Sequence, residues 1–144
     1  GVAFRSVSRY FETLEGIEAG SAHLLTGHGR RIPDFAAHRR KLEGKYAFRT
    51  AQIERVLAGR PKTVAELCER IFPTVRPMDL YLAYSEVLGF LMYLEDLKRV
   101  ERQTGHLRDR WVLTPGAQHR AASPRPGREE VEDDRQEEVG LLLE

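Results

Sequence analysis

The sequence predicts a mainly α-helical fold with a small β-hairpin. Three observations favour this fold class. Apolar residues recur with a helical period over more than 20 residues after Asp34, a helix-capping pattern stands at Thr63–Glu66, and two short β-type segments flank Thr104 and Gly105. The resulting order of helix, short capped helix, long helix and hairpin is that of a winged helix-turn-helix domain.

The first predicted element is a helix from about Ser6 to Glu18. Its apolar residues follow the i, i+3, i+4, i+7 spacing of one helix face: Val7, Tyr10, Phe11, Leu14 and Ile17. Gly20 ends this helix, and residues 22–26 predict a buried strand. Because one helix and one strand cannot enclose a core, we interpret residues 1–33 as the last piece of a larger α/β layer that lies upstream.

Residues 34–115 are predicted to form a linking helix followed by the winged-helix domain proper, from about residue 46. Asp34 is a favourable N-cap for the linking helix, and Gly59 is a favourable stop. Gly44 inside the helix costs about 1 kcal/mol relative to alanine. A bend or break is therefore expected there.

The second predicted helix is short and strongly capped. Thr63 and Glu66 have the spacing of a capping box, in which each side chain accepts a hydrogen bond from the backbone amide of the other residue. The helix stops before Pro73. Its predicted buried stripe consists of Val64, Leu67, Cys68 and Ile71.

A long helix is predicted to begin near Asp79 and to lead into the hairpin. Its predicted core seam consists of Leu80, Ala83, Val87, Leu91, Leu94 and Leu97. The strands are predicted at 100–103 and 110–113, joined by a turn at Thr104 and Gly105. Trp111 is expected to cover the end of the core, because an isolated hairpin needs a hydrophobic surface to lie on.

The composition changes beyond Pro115. Residues 116–144 are predicted to be a disordered, solvated tail, since Glu129–Glu138 is dominated by acidic side chains and lacks aromatics. Val139–Leu143 is an apolar segment within this tail. It can dock on the folded part or form a short stub of helix.

The overall composition is that of an ordinary globular protein. The hydrophobic fraction is 41%, the charged fraction is 31%, and a formal net charge of +1 gives no overall attraction to nucleic acid or membranes. Charges are segregated, however, with ten basic residues against three acidic ones between Arg30 and Lys62. Cys68 is the single cysteine, so we expect no intrachain disulfide, an inert buried thiol and a cytoplasmic setting. No apolar run approaches the roughly 18 residues that a membrane span needs.

His28 is the candidate site residue. It lies between Gly27 and Gly29 after the predicted strand, where it is either a solvated turn residue or a metal ligand or proton carrier. No histidine pair has the short spacing of a zinc site, and neither a phosphate-binding glycine loop nor a serine-nucleophile motif is present. The residues of this chain alone therefore predict a catalytically inactive protein.

A resemblance to a known family rests on the order of several modest motifs. These are Tyr10–Leu14, Leu24–Gly29, Ile32-x-Asp34 and His38-Arg39, followed by Gln52-Ile53, Thr63–Leu67 and the helix from Glu86 to Leu94. Over residues 7–113 this order resembles the end of a metallo-β-lactamase-fold hydrolase. It is most similar to the subfamily with a C-terminal winged-helix domain. Leu42 departs from the family pattern, which often has arginine at this position.

The resemblance implies a function for the protein as a whole. His28 occupies the position of the last ligand of a zinc pair, while the family's His-x-His-x-Asp-His motif and later ligands would belong to a missing N-terminal catalytic domain. Zinc in such enzymes activates a water that attacks an ester, thioester, amide or phosphodiester bond. The implied partners are that catalytic domain and a small-molecule ester or thioester, or a nucleic-acid substrate. The winged helix is expected to pack on the catalytic domain and wall its cleft, and no membrane is implied.

The alternative is a stand-alone winged-helix module that binds nucleic acid or another protein. The long helix is a poor reader of DNA, because its acidic residues outnumber its basic ones. Arginines of the hairpin and of the stretch from Arg30 to Lys62 can still follow a phosphate backbone. Protein contact is the preferred role, since the long helix carries aromatic side chains beyond the needs of its seam: Tyr81, Tyr84, Phe90 and Tyr93.

Overall fold

The computed structural model of the chain describes residues 6–17 and 31–117. It contains helices α1 (Ser6–Gly16), α2 (Phe35–Leu57), α3 (Val64–Ile71) and α4 (Leu80–Asp96), and strands β1 (Val100–Gln103) and β2 (Arg110–Leu113). A single 3-10 turn, Pro77–Asp79, leads into α4. The mainly helical fold with a small antiparallel hairpin is confirmed. The predicted strand at 22–26 and the tail beyond residue 117 lie outside the described residues, and the winged-helix assignment stays a prediction.

Helix α2 begins where the sequence predicts. The Asp34 side chain accepts a hydrogen bond from the Ala37 amide at 2.9 Å, and the helix then runs for 23 residues to Leu57. The predicted break at Gly44 is wrong, because the helix continues through this residue. A penalty of about 1 kcal/mol for one glycine is smaller than the stabilisation that packing gives a helix of this length.

Helix α3 has the predicted capping box. The Glu66 amide donates to Thr63 Oγ1 at 3.2 Å, and the Thr63 amide donates to Glu66 Oε2 at 2.8 Å. The second of these bonds is the main cause of a lowered pKa for Glu66, since it stabilises the carboxylate form. The helix ends before Pro73, with Phe72 as its C-cap, as predicted.

Helix α4 passes through the centre of the core. Ala83, Val87, Leu91 and Leu94 are each at most 1% exposed, which confirms these members of the seam. The seam was predicted wrongly at its two ends, because Leu80 is 48% and Leu97 is 46% exposed. Periodicity gives a direction around the helix axis but not the length over which neighbouring elements cover it. Phe90, which the sequence assigned to a contact surface, is 7% exposed and joins the core.

The hairpin closes the other side of the core. Strands β1 and β2 pair antiparallel from Val100↔Leu113 to Gln103↔Arg110, and both strand ranges were predicted correctly. The connection is longer than the predicted two-residue turn and spans 104–109. Trp111 is 2% exposed, and its backbone exchanges two hydrogen bonds with Lys62 at 2.8 and 3.0 Å. The expectation that Trp111 covers the core is confirmed.

Within the described part of the chain, no helix combines the length and the apolarity that crossing a bilayer requires.

Candidate functional site

The predicted metal-ligand position, His28, lies outside the described residues. Across 6–17 and 31–117, no three histidine, cysteine, aspartate or glutamate side chains converge in a way that would hold a metal ion. Of the nearby motif residues, Asp34 caps α2, and His38 is half-buried in the first turn of that helix. The described residues therefore do not themselves form a metal site, and no hydrolytic step is derived from them.

Cys68 is an inert core thiol. It is 2% exposed on the buried face of α3, and desolvation raises its pKa to about 11. The nearby carboxylates of Glu86 and Glu69 raise the pKa further. Because the thiolate is the nucleophilic form, this cysteine has no reactive character at neutral pH.

The contact between α1 and α4 is the clearest functional feature of the described residues. A Cβ placed on Gly89 would lie 3.4 Å from Val7 Cγ2, so the absence of a side chain at Gly89 is what gives α1 room to approach. The Ser8 hydroxyl donates to Asp96 Oδ2 at 2.6 Å. Leu14 is 6% exposed. Helix α1 is thus seated along one face of α4.

An aromatic cluster extends this contact to α2. We define it as Tyr10, Phe11, Tyr46, Phe90 and Tyr93. The Phe11 ring lies at its centre, with ring centroids 4.8 Å from Tyr46 and 5.4 Å from Tyr93. Tyr46 also contacts Phe90, at 5.1 Å, and Tyr10, at 6.0 Å. The cluster joins three helices that are far apart in the sequence.

The tyrosine hydroxyls of this cluster are held in their neutral form. Burial raises the pKa of Tyr46 to about 12, and the charges of Tyr10 and Glu86 add to the effect. Burial also raises the pKa of Tyr10. Both shifts follow from the cost of placing a phenolate among apolar rings. The cluster is therefore a packing surface.

Two buried ion pairs fix the helices beneath the cluster. Arg49 donates to Glu86 at 2.7 Å and to Gln52 at 2.6 Å, and its guanidinium lies 4.6 Å from the centre of the Phe72 ring. Arg49 is only 9% exposed. Because such a side chain is enclosed by the fold, it is not available to follow a phosphate backbone.

The second buried pair joins α2 to the segment between α4 and β1. Arg99 donates through two nitrogens to the two carboxylate oxygens of Glu54, a bidentate arrangement. Lys62, also counted among the basic residues of the sequence, is 8% exposed. The basic stretch from Arg30 to Lys62 is therefore less solvated than the sequence indicated.

A groove of about 780 Å³ lies between the start of α3, one face of α4 and the hairpin connection. Its apolar rim includes Tyr84 at 42%, Leu88 at 37% and Leu107 at 93% exposure. The side chains that line it are Thr63, Val64, Ala65, Tyr84, Leu88, Met92, Glu95, Arg102, Leu107, Arg108, Asp109 and Trp111. This groove lies on a different side of α4 from the one that α1 covers.

The sequence interpretation assigned a contact role to Tyr84 but missed the groove. Its signal is a second apolar stripe on α4, in which Tyr81, Tyr84, Leu88 and Met92 follow one another at intervals of three or four residues. The core seam of the same helix obscured this stripe, because α4 is apolar on more than one side. Leu107 has no sequence signal of this kind, since it lies in a connection.

Comparisons with known proteins give one curated relative and one solved structure, and no family model matches the sequence. The relative is the "Probable metallo-hydrolase YqjP" of Bacillus subtilis (strain 168), with 36% identity over 72 residues. The match covers 50% of this chain and 23% of the relative, so the chain corresponds to about a quarter of that protein's length.

The structure is that of a beta-lactamase domain protein from Burkholderia ambifaria. It superimposes with a TM-score of 0.66 at 18% identity, over 75% of this chain and 33% of that one. At this identity the likeness concerns the fold alone. The relative and the structure together support the resemblance that the motifs indicated, to the C-terminal part of a metallo-β-lactamase-fold hydrolase.

Proposed function

We propose that this chain is the C-terminal part of a zinc-dependent metallo-β-lactamase-fold hydrolase. In this proposal residues 1–33 complete the catalytic domain, residues 34–115 form a linking helix and a winged-helix domain, and residues 116–144 are a solvated tail. The winged helix packs on the catalytic domain and borders its cleft. The chain is inactive without the upstream ligands.

The observation that carries the proposal is the seating of α1 on α4 through the aromatic cluster. Helix α1 belongs to the proposed catalytic unit, whereas α2 and α4 belong to the proposed winged helix. Rings from both units interlock at centroid distances of 4.8 and 5.4 Å, and Leu14 is buried in the same contact. Such a contact fixes the orientation of the second unit against the first, because interlocked apolar surfaces allow few alternative arrangements.

His28 is assigned the role of the last metal ligand. A neutral imidazole is the usual histidine donor to zinc, and the bound metal supplies an activated water for attack on the scissile bond. His38 is assigned no such role, since its position on α2 carries it away from the glycine turn.

The test compares His28→Ala with His38→Ala in the complete protein, including the upstream catalytic domain. We expect His28→Ala to lower the bound zinc content and to reduce hydrolysis of a generic ester substrate by at least about 100-fold, because even residues that only support ligands cost 10- to 100-fold. His38→Ala should leave both quantities near the wild-type values. Full zinc content and turnover in His28→Ala would overturn the assignment.

The alternative of a nucleic-acid-binding module is not favoured by the contacts. The face of α4 next to the hairpin is apolar, and several exposed or partly exposed arginines are held in ion pairs: Arg39 with Glu43, Arg60 and Arg110 with Glu66, and Arg102 with Asp109. A protein that neutralises phosphates binds tightly at low salt and loses affinity steeply as salt is added. Such salt dependence with a DNA duplex would return this alternative to first place.

A further inference from the structure

The groove between α3, α4 and the hairpin is an unpartnered apolar surface in the described part of the chain. Its floor contains the buried ring of Trp111, and its rim exposes Tyr84, Leu88 and Leu107. Its volume of about 780 Å³ falls in the range of pockets that enclose a bound ligand. Exposed apolar surface of this kind is a docking surface more often than an accident of folding.

We propose that this groove is the docking site of the chain's own apolar segment, Val139–Leu143. Val139, Leu142 and Leu143 have the i, i+3, i+4 spacing of one helix face, so a single helical turn presents all three side chains to one side. An apolar helix face laid into a hydrophobic groove is a recurrent mode of peptide recognition.

The charges at the hairpin side of the groove agree with this occupant. Arg102 and Arg108 stand there against one acid, Asp109. The apolar segment is preceded by Glu137 and Glu138. An apolar segment flanked by acids therefore meets an apolar groove bordered by guanidinium groups, which sets the direction in which the segment lies.

The connecting chain is long enough. The described residues end at Ala117, which follows Trp111 of the groove floor by a stretch of backbone that spans at most about 20 Å. From there about 20 residues lead to Val139, and a flexible chain of that length has a root-mean-square span of about 25 Å. At this separation the effective concentration of the segment reaches the millimolar range, so a weak intrinsic affinity is enough for occupancy.

The test is a paramagnetic relaxation measurement on the full chain. Glu144→Cys carries a nitroxide label next to the segment, and labelling is selective because Cys68 is buried with its pKa raised to about 11. We expect loss of the amide signals of Leu88, Met92 and Leu107. The change Leu88→Glu should restore these signals. The matched control Leu97→Glu should not, since Leu97 is similarly exposed on the same helix but lies outside the groove.

A second variant covers the case in which Leu88→Glu disturbs the fold. Leu142→Asp leaves the helices and the hairpin unchanged in sequence, and it too should restore the groove signals. Unchanged groove signals in the labelled wild-type chain would overturn the proposal, as would a signal loss that neither variant relieves. Signal loss that arises only between isotope-labelled and spin-labelled copies would assign the groove to a second copy instead and would equally overturn it.

Discussion

The substitution Phe11→Ala tests whether α1 is a separately docked element. Phe11 contacts the Tyr46 and Tyr93 rings at centroid distances of 4.8 and 5.4 Å. Each aromatic pair contributes about 1 kcal/mol beyond its buried area. Complete burial of a phenylalanine would add more, but Phe11 is only half-buried. We expect the substitution to weaken the seating of α1 by about 2 kcal/mol.

Hydrogen exchange of the α1 amides measures this loss directly. If α1 leaves α4 in a local opening, a change of about 2 kcal/mol accelerates exchange by about 30-fold in α1. Amides in α3 and at the centre of α4 should exchange at unchanged rates, because their core contacts do not involve Phe11.

Phe48→Ala is the matched control for this experiment. Phe48 lies on α2 and is 58% exposed, so its removal should change exchange in α1 by no more than about twofold. Equal acceleration in the two variants would refute the reasoning. Equal acceleration of every helix by Phe11→Ala would also refute it, since α1 would then unfold only together with the rest.

Three further predictions concern the local chemistry of the fold. Thr63→Ala should lower the free energy of unfolding in urea by about 1 kcal/mol, because it removes the cap of α3, whereas Thr74→Ala in an exposed loop should change it by less than half of that. Since the pKa of Tyr46 is raised to about 12 in the folded state, its contribution to stability is complete below pH 10 and is lost as the pH rises from 10 to 12. Tyr46→Phe should therefore flatten the stability curve in that interval, and an unchanged slope would contradict the shift. Cys68 should react with a thiol reagent at neutral pH only when urea unfolds the chain, and rapid reaction of the folded protein would show that the thiol is accessible.

The features predicted correctly are those that local sequence determines. The Asp34 cap and the Thr63–Glu66 capping box require only residues within four positions of each other. The two strands were likewise located by a β-type segment on each side of a turn. The candidate metal position His28 came from a family motif, and it stays a prediction because the residue lies outside the described part of the chain.

The errors have a common physical cause. Helix α4 carries apolar residues on three sides, so its sequence supports several seams, and only the neighbouring elements decide which one is buried. The hairpin and α3 cover Leu91 and Leu94 but stop short of Leu97, and α1 occupies the side that contains Gly89. Phe90 became a core residue for the same reason.

The sequence by itself determined where the helices and strands lie and which family this chain resembles, because caps, turns and motifs act over a few residues. Only the tertiary structure decided that Arg49 is enclosed, that Phe11 meets Tyr46, and that Leu88 faces an open groove. These outcomes depend on contacts between distant segments, and the free energy of such contacts is fixed by how the elements pack, which no local pattern records.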